Sequence, residues 1–207
     1  MSIANYFTIF RIFISPVFLL VYMYPAFFGI TPVVLPYVLL LLLGVSELSD
    51  AFDGYLARKY NQVTDLGKIL DPMADSIYRI SVFLTFTLDP VHLPMLLIFA
   101  FLYRDSVVST LRTLCALRGF ALAARLSGKI KAVIQAIAAF TILLLMIPHS
   151  LGMISTDTLQ LSSLLVASFA ALYSLYTGYD YIYANRRYIR SALTLPSQKK
   201  SKSVVRV

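Results

Sequence analysis

Long apolar runs separated by short polar or charged segments dominate this sequence. A helix that spans a bilayer needs about 20 mostly apolar residues, and six runs of roughly this length occur, each bounded by charges, prolines or glycines. They cover residues 6–28, 33–58, 67–88, 92–117, 128–147 and 159–183. The pattern therefore predicts an all-α integral membrane protein, with six transmembrane helices in residues 1–192 and a basic, disordered tail in residues 193–207.

Composition supports the membrane assignment. The 207 residues are 59% hydrophobic and only 14% charged, with a mean hydropathy of +0.78. A water-soluble domain of this size would hardly remain in solution with that balance. Cys115 is the only cysteine, which excludes an intramolecular disulfide and a zinc site built from cysteines.

The net charge of +8 is unevenly placed along the chain. Lys and Arg follow the second and fourth apolar runs and fill the tail, whereas the connections around residues 25–32, 89–94 and 148–157 contain neither. Because such cations stay on the cytoplasmic side of a membrane, both termini are expected in the cytoplasm. The tail is expected to bind anionic membrane lipid, and the sequence carries no motif that would favour nucleic acid.

Four of the ten acidic residues cluster where the second run ends and the third begins. Asp50 and Asp53 are three residues apart, and Asp71 and Asp75 are four apart, so each pair shares one helix face. A short link between the two helices predicts that they pack against each other as an antiparallel pair. The four carboxylates would then converge at one depth.

Such a cluster needs a compensating positive charge. One charge near the bilayer interior costs about 2.5–3.5 kcal/mol, and four carboxylates also repel one another. Oxygen ligands without histidine or cysteine favour Mg²⁺ or Mn²⁺ over softer metals. Two such ions commonly clamp a phosphate and its leaving group, so the cluster predicts metal-dependent phosphate chemistry.

Small residues lie among these acids. Gly54 and Ala57 are one turn apart and Gly67 opens the third run, a spacing also typical of close helix packing. The same residues could let a nucleotide diphosphate approach the backbone, and both roles can hold together. Arg58 could be an ordinary flanking cation, but a guanidinium beside a diphosphate offers bidentate binding.

The pattern Asp50-x2-Asp53-Gly54-x2-Ala57-Arg58-x8-Gly67-x3-Asp71-x3-Asp75 resembles the signature of the CDP-alcohol phosphotransferase family at all eight defined positions. The resemblance implies a six-helix enzyme, commonly a homodimer, whose polar cavity opens to the cytoplasm. It implies that the four aspartates form a two-metal site, with Asp75 also the base that deprotonates the alcohol. Gly54, Ala57, Arg58 and Gly67 would line the CDP site.

A second group of unusual positions suggests which alcohol is used. The fourth and fifth runs carry cations that look buried, namely Arg104, Arg112, Lys129 and Lys131. Membrane arginines rarely stay unpaired, and Arg112 has no acid one helical turn away. A phosphate on the acceptor alcohol would provide a partner, which favours glycerol 3-phosphate or inositol phosphate over an uncharged alcohol.

Further segments resemble the bacterial phosphatidylglycerophosphate synthases, a branch of the same family. They are Asn5-x2-Thr8-x2-Arg11, Arg104-Asp105-x6-Arg112, Gly119 and Gly128-Lys129-x-Lys131-x3-Gln135. The resemblance implies transfer from CDP-diacylglycerol to glycerol 3-phosphate at the inner membrane, with Asn5, Thr8 and Arg11 closing the nucleotide site. Asp105 departs from the expected Glu, and Ala132 stands where Thr is frequent.

Other functions fit the residues less well. Within the family, phosphatidylinositol phosphate synthase or cardiolipin synthase would use the same chemistry with another acceptor. A cation transporter would also place acids and arginines in a membrane, but it would leave the eight-position pattern unexplained.

Tyrosines are frequent in and just after the last apolar run. They are Tyr173, Tyr176, Tyr179, Tyr181, Tyr183 and Tyr188. Aromatic residues gather at membrane interfaces, so the expectation is an aromatic belt and a packing face without chemistry.

Overall fold

A computed structural model describes residues 3–59, 65–117 and 126–194. Within these ranges, the side chains of residues 3–9, 50–51, 53–59, 65–72, 116–117 and 191–194 lie outside the described part. The described chain is all α-helical, as predicted. Its helices are α1 (Ile3–Met23), α2 (Leu35–Lys59), α3 (Asp65–Thr85), α4 (Met95–Leu117), α5 (Leu126–Ser150) and α6 (Thr156–Thr194), with a short 3₁₀ helix at Pro25–Phe28.

The helices match the six predicted runs except at two ends. α1 stops at Met23, because Tyr24 precedes a proline and adopts φ −129° and ψ 53°, outside the helical region. α6 continues past the predicted end at residue 183 to Thr194, about three further turns. These extra turns are too polar to count as an apolar run, since they carry Arg186, Arg187 and Arg190.

α1 packs against both α2 and α3, and α6 packs against both α4 and α5. Arg11 contacts Asp75, and eleven residues later the Tyr22 ring of α1 lies 6.3 Å from that of Phe86, the residue that follows α3, so α1 and α3 run parallel. The largest fully buried side chains form one continuous apolar core. They include Phe18, Leu39, Phe83, Phe86, Phe101, Ile142 and Leu143.

The close antiparallel packing predicted for the facing ends of α2 and α3 falls on residues 53–59 and 65–72, whose side chains lie outside the described part of the structure. The two helices approach mainly through side chains, as between Glu47 and Arg79, where the closest charged atoms are 3.8 Å apart. α1 packs against both helices. A short link brings helices near each other but does not decide which third helix fills the space beside them.

The outer surface is strongly apolar. Leu41, Leu96, Phe169 and Leu172 each expose more than 60% of their surface. Large exposed apolar surfaces mark a contact with lipid or with another protein. Among the described helices, α5 and the Thr156–Arg190 part of α6 are long and apolar enough to cross a membrane. The surface is that of a membrane protein.

Candidate active site

A cavity of about 660 Å³ lies between α3, α4, α5 and α6, with Glu47 of α2 at its wall. Its residues come from the middle of α3, mainly the first half of α5, the middle and second half of α4, and the second half of α6. Three acidic residues line it, namely Glu47, Asp75 and Asp105. Five basic residues do so as well, namely Arg79, Arg104, Arg112, Lys129 and Lys131.

Asp105 is the centre of a buried polar network. Its Oδ1 accepts from Lys131 Nζ at 2.7 Å and from Arg104 Nη1 at 2.9 Å, while Ser76 Oγ donates to its Oδ2 at 3.2 Å. Asp105 and Lys131 are each only 7% exposed. Buried charges are stable when they are paired and hydrogen-bonded in this way. The network therefore fixes two of the cavity's cations and neutralises part of their charge.

Arg104 is also held from the side of α6. Its Nε donates to Thr177 Oγ1 at 3.2 Å, and the Thr177 hydroxyl in turn donates to the Ser174 carbonyl at 2.8 Å. Its aliphatic stem passes over Gly178, where an added Cβ would lie 3.0 Å from the Arg104 Cγ. The absence of a side chain at this helical position gives the arginine room to enter the cavity.

Arg112 has a different environment from Arg104. It forms no ion pair among the described residues, and its Nε is buried without a hydrogen-bond partner there. Its guanidinium carbon lies 5.9 Å from the centre of the Tyr181 ring. Lys129, at the start of α5, is exposed and lines the same cavity. Arg79, the remaining cavity cation outside the Asp105 network, faces Glu47. Arg112 and Lys129 are thus the cavity cations that have no acidic partner among the described residues.

Asp75 lies on α3 with its carboxylate partly open to the cavity, its side chain being 34% exposed. Arg11 of α1, which is buried, forms an ion pair with it. One turn further along α3, Arg79 donates to the Ala132 carbonyl of α5 and faces Glu47 of α2. With the hydrogen bond from Ser76 to Asp105 of α4, the helix that carries Asp75 is therefore tied to four neighbouring helices.

The structure brings several predicted site residues together. Arg104, Arg112, Lys129 and Lys131, predicted to hold the acceptor phosphate, all line the cavity that contains Asp75. Arg11, predicted for the CDP site, reaches Asp75. The remaining predicted residues have side chains outside the described part of the structure. They are Asn5, Thr8, Asp50, Asp53, Gly54, Ala57, Arg58, Gly67 and Asp71.

The backbone nevertheless shows which helices carry the predicted metal ligands. Asp50 and Asp53 lie in the second half of α2, and Asp71 lies one turn before Asp75 in α3. No group of three acidic, histidine or cysteine residues suited to a metal occurs among the side chains that are described. The donor chemistry fits a hard divalent ion, because the Asp75 carboxylate opens into the cavity and its predicted partners are also carboxylates.

Some cavity residues had no predicted role, namely Glu47, Ser76, Arg79 and Thr177, and for Tyr181 the sequence predicts only an aromatic belt or a packing face. Helical spacing could have found two of them, since Glu47 precedes Asp50 by three residues and Arg79 follows Asp75 by four. Nothing in the sequence separates Tyr181 from its neighbours. Tyr176, Tyr179, Tyr183 and Tyr188 are exposed, as an aromatic belt predicts, but Tyr181 is buried.

The cavity can bind an anion and support proton transfer. Its basic residues outnumber its acidic residues by two among the described side chains, a surplus similar to the charge of a phosphate group, about −1.5 to −2 near neutral pH. A carboxylate in the same cavity can accept a proton from a nearby hydroxyl. The arrangement suits an alcohol that carries a phosphate.

Comparisons with known proteins give a consistent result. The family described as CDP-alcohol phosphatidyltransferase matches residues 1–178. A relative from Rickettsia felis, named CDP-diacylglycerol–glycerol-3-phosphate 3-phosphatidyltransferase, is 34% identical over 189 residues, which cover 90% of this chain and 97% of the relative. Relatives of the same name from Bacillus subtilis and Escherichia coli are 33% and 31% identical, over 72% and 66% of this chain and 80% and 74% of their own lengths.

Proposed function

This chain belongs to the CDP-alcohol phosphatidyltransferase family, and from that premise we propose that it transfers the phosphatidyl group of CDP-diacylglycerol to glycerol 3-phosphate. The products are phosphatidylglycerol phosphate and CMP. The observation that carries the choice of acceptor is the cavity in which Asp75 and an excess of cations lie together. The names of the relatives from Rickettsia felis and Bacillus subtilis support the same acceptor.

The acceptor phosphate is bound mainly by Arg112 and Lys129. Arg104 and Lys131 share one carboxylate, that of Asp105, at 2.9 and 2.7 Å, and so have less charge to offer a ligand. Arg112 has no acidic partner among the described residues. Arg104 and Lys131 complete the phosphate site and hold its shape.

Asp75 takes the proton in the reaction. The C1 hydroxyl of glycerol 3-phosphate attacks the β-phosphorus of CDP-diacylglycerol, and the bond from that phosphorus to the oxygen of CMP breaks. The hydroxyl proton passes to a carboxylate oxygen of Asp75. Arg11 supports this role because its positive charge beside Asp75 favours the ionised, proton-accepting form.

The donor site occupies the ends of α2 and α3. Asp50, Asp53, Asp71 and Asp75 would hold Mg²⁺ or Mn²⁺, as two ions. The family uses divalent metal, and the bound metal would offset negative charge on the diphosphate. The CDP group would be bound by Asn5, Thr8, Arg11, Gly54, Ala57, Arg58 and Gly67. Their positions in α1, α2 and α3 lie on helices that pack through α1.

The proposal includes a membrane arrangement. All six helices cross the inner membrane, both termini and the cavity face the cytoplasm, and residues 1–192 form the catalytic domain. The basic tail at residues 193–207 binds anionic lipid, and the chain works as a homodimer. Support comes from the apolar outer surface and from the absence of Lys and Arg in three of the connections in the sequence.

The test is CMP release from CDP-diacylglycerol by the purified protein with Mg²⁺ or Mn²⁺. Glycerol 3-phosphate should support release, whereas inositol phosphate, inositol, serine and phosphatidylglycerol should not. Release with inositol phosphate or phosphatidylglycerol instead would keep the chemistry and replace the acceptor. No release with any acceptor would contradict the enzymatic proposal and return the cation transporter to consideration.

A further inference from the structure

Tyr181 is a buried tyrosine whose hydroxyl has no hydrogen-bond partner in the described part of the chain. The residue is 3% exposed and lines the cavity from the second half of α6. Buried tyrosine hydroxyls usually find a partner, because an unsatisfied buried donor costs about 1–3 kcal/mol. An unpartnered hydroxyl at the wall of a binding cavity therefore points to a ligand group.

A second unpartnered donor lies beside it. Arg112 on α4 has its guanidinium carbon 5.9 Å from the Tyr181 ring, and its buried Nε also lacks a partner among the described residues. Both groups can donate, and Arg112 adds a positive charge. The two side chains together thus suit an anionic group with several acceptor oxygens. Phosphate matches that description better than a hydroxyl or an ammonium group would.

We propose that the Tyr181 hydroxyl is a specificity-determining hydrogen-bond donor, which binds a phosphate oxygen of the acceptor alcohol beside Arg112. The inference rests on the proposed function and deepens it, since it names a residue that neither the sequence pattern nor the family comparison assigns. An alcohol without phosphate would leave both donors unpaired in a buried site. Discrimination by an unpaired buried donor is stronger than discrimination by shape alone.

The proposal makes an unusual prediction for Tyr181→Phe. The ring beside Arg112 stays, and only the hydroxyl is removed. Because that hydroxyl has no partner among the described residues, its loss should leave the melting temperature unchanged or slightly raised. Binding of glycerol 3-phosphate should nevertheless weaken about ten- to hundredfold, the range of a lost hydrogen bond to a charged group.

Tyr183→Phe is the matched control. Tyr183 lies on the same helix and also has an arginine over its ring, with Arg186 at 4.1 Å, but it is 55% exposed and does not line the cavity. This substitution should change neither the melting temperature nor binding of glycerol 3-phosphate. The pair of variants separates the effect of the cavity hydroxyl from the general effect of replacing a tyrosine on α6.

Two measurements on the purified full-length protein decide the outcome. Calorimetry with glycerol 3-phosphate gives the dissociation constant without turnover, and steady-state CMP release gives the KM for each substrate. Weaker acceptor binding and a raised acceptor KM, with the KM for CDP-diacylglycerol unchanged, would support the proposal. Unchanged acceptor binding in Tyr181→Phe would overturn it, as would a fall in melting temperature with both KM values raised.

The calorimetric test also separates this inference from the proposed function. If wild-type protein bound glycerol 3-phosphate but released no CMP with it, the proposed reaction would fail while the role of Tyr181 could still be measured. If wild-type protein bound no glycerol 3-phosphate, both would fail. Inorganic phosphate serves as a second probe, since it should compete with glycerol 3-phosphate in wild-type protein and compete less well in Tyr181→Phe.

Discussion

Asp75 combines features that a catalytic base in a membrane enzyme needs. Its carboxylate is partly open to the cavity, and Arg11 of the neighbouring helix α1 forms an ion pair with it. An ionised acid inside a bundle of apolar helices would be costly alone, and the paired guanidinium offsets that cost. Asp75 thus lies in the same cavity as the basic residues proposed to bind the acceptor phosphate.

Asp75→Asn is the direct test of this residue. The amide keeps the size of the side chain and can still accept a hydrogen bond from Arg11, but it cannot take a proton. Turnover should fall by about 10²- to 10⁴-fold, the usual contribution of a general base. Binding of CDP-diacylglycerol, measured by calorimetry with metal present, should remain. Normal turnover in this variant would remove Asp75 from the role of base.

At the scale of single residues, sequence reasoning finds charges better than it finds neutral side chains. Arg104, Arg112 and Lys131 could be predicted because a cation inside an apolar run is costly and needs a reason. Tyr181 could not, since tyrosine is common in helices near a membrane surface. Which of several tyrosines faces a cavity depends on the rotation of α6 against α4, and that depends on packing across the bundle.

At the scale of elements, α6 both packs against α4 and α5 and forms part of the cavity wall. Thr177 and Gly178 receive the side chain of Arg104, and Tyr181 follows one turn later beside Arg112. One face of this helix thus positions one arginine of the cavity and contacts another. The sequence predicts a last apolar helix, but not that its second half forms part of the site.

Gly178→Ala tests the contact between α6 and Arg104. The added Cβ would lie 3.0 Å from the Arg104 Cγ, and Arg104 cannot easily move because Thr177 and Asp105 hold its guanidinium. We expect the KM for glycerol 3-phosphate to rise about five- to tenfold, which corresponds to the lower part of the roughly 1–3 kcal/mol that overpacking costs. The KM for CDP-diacylglycerol should stay the same.

Two comparisons show whether Gly178 acts through Arg104. Gly44→Ala adds the same methyl group to a helical glycine of α2, where nothing lies within 4 Å, and it should leave both KM values unchanged. In an Arg104→Ala background, Gly178→Ala should have no further effect, because the atom it displaces is gone. An equal additional loss in that background would mean that the methyl group disturbs helix packing in general.

Element boundaries were predictable where local chemistry decides them and less so where packing does. The positions of all six helices follow from the apolar runs, because an apolar run of this length favours helix in a membrane. The arrangement of α1 between α2 and α3 does not follow, since many apolar surfaces can pack together. The α1 contact with both helices depends on the shapes of side chains such as Phe18 and Leu39.

At the scale of the whole molecule, the exposed surface and the cavity have opposite character. Leu165 is 64% exposed on α6, whereas Lys131 is 7% exposed inside the bundle. In water this would be an unstable arrangement, but in a bilayer the apolar surface can meet lipid while Lys131 lies inside the bundle. The proposed six spans and cytoplasmic termini therefore make a clear prediction about which residues water can reach.

Single cysteines test that topology, because the natural Cys115 is fully buried and can be replaced by alanine to give a cysteine-free background. In spheroplasts of a bacterial host, Met153→Cys in the α5–α6 connection should react with an impermeant maleimide. Ser201→Cys in the tail should react only after the membrane is permeabilised.

Leu165→Cys is the control for lipid exposure. Leu165 is 64% exposed and Met153 is 74% exposed, yet a cysteine at position 165 should stay unlabelled in both conditions. Rapid labelling of Leu165→Cys would contradict a lipid-facing α6. Labelling of Ser201→Cys in intact spheroplasts would reverse the proposed orientation, and the basic tail could then not bind the cytoplasmic leaflet, the side on which such cations normally remain.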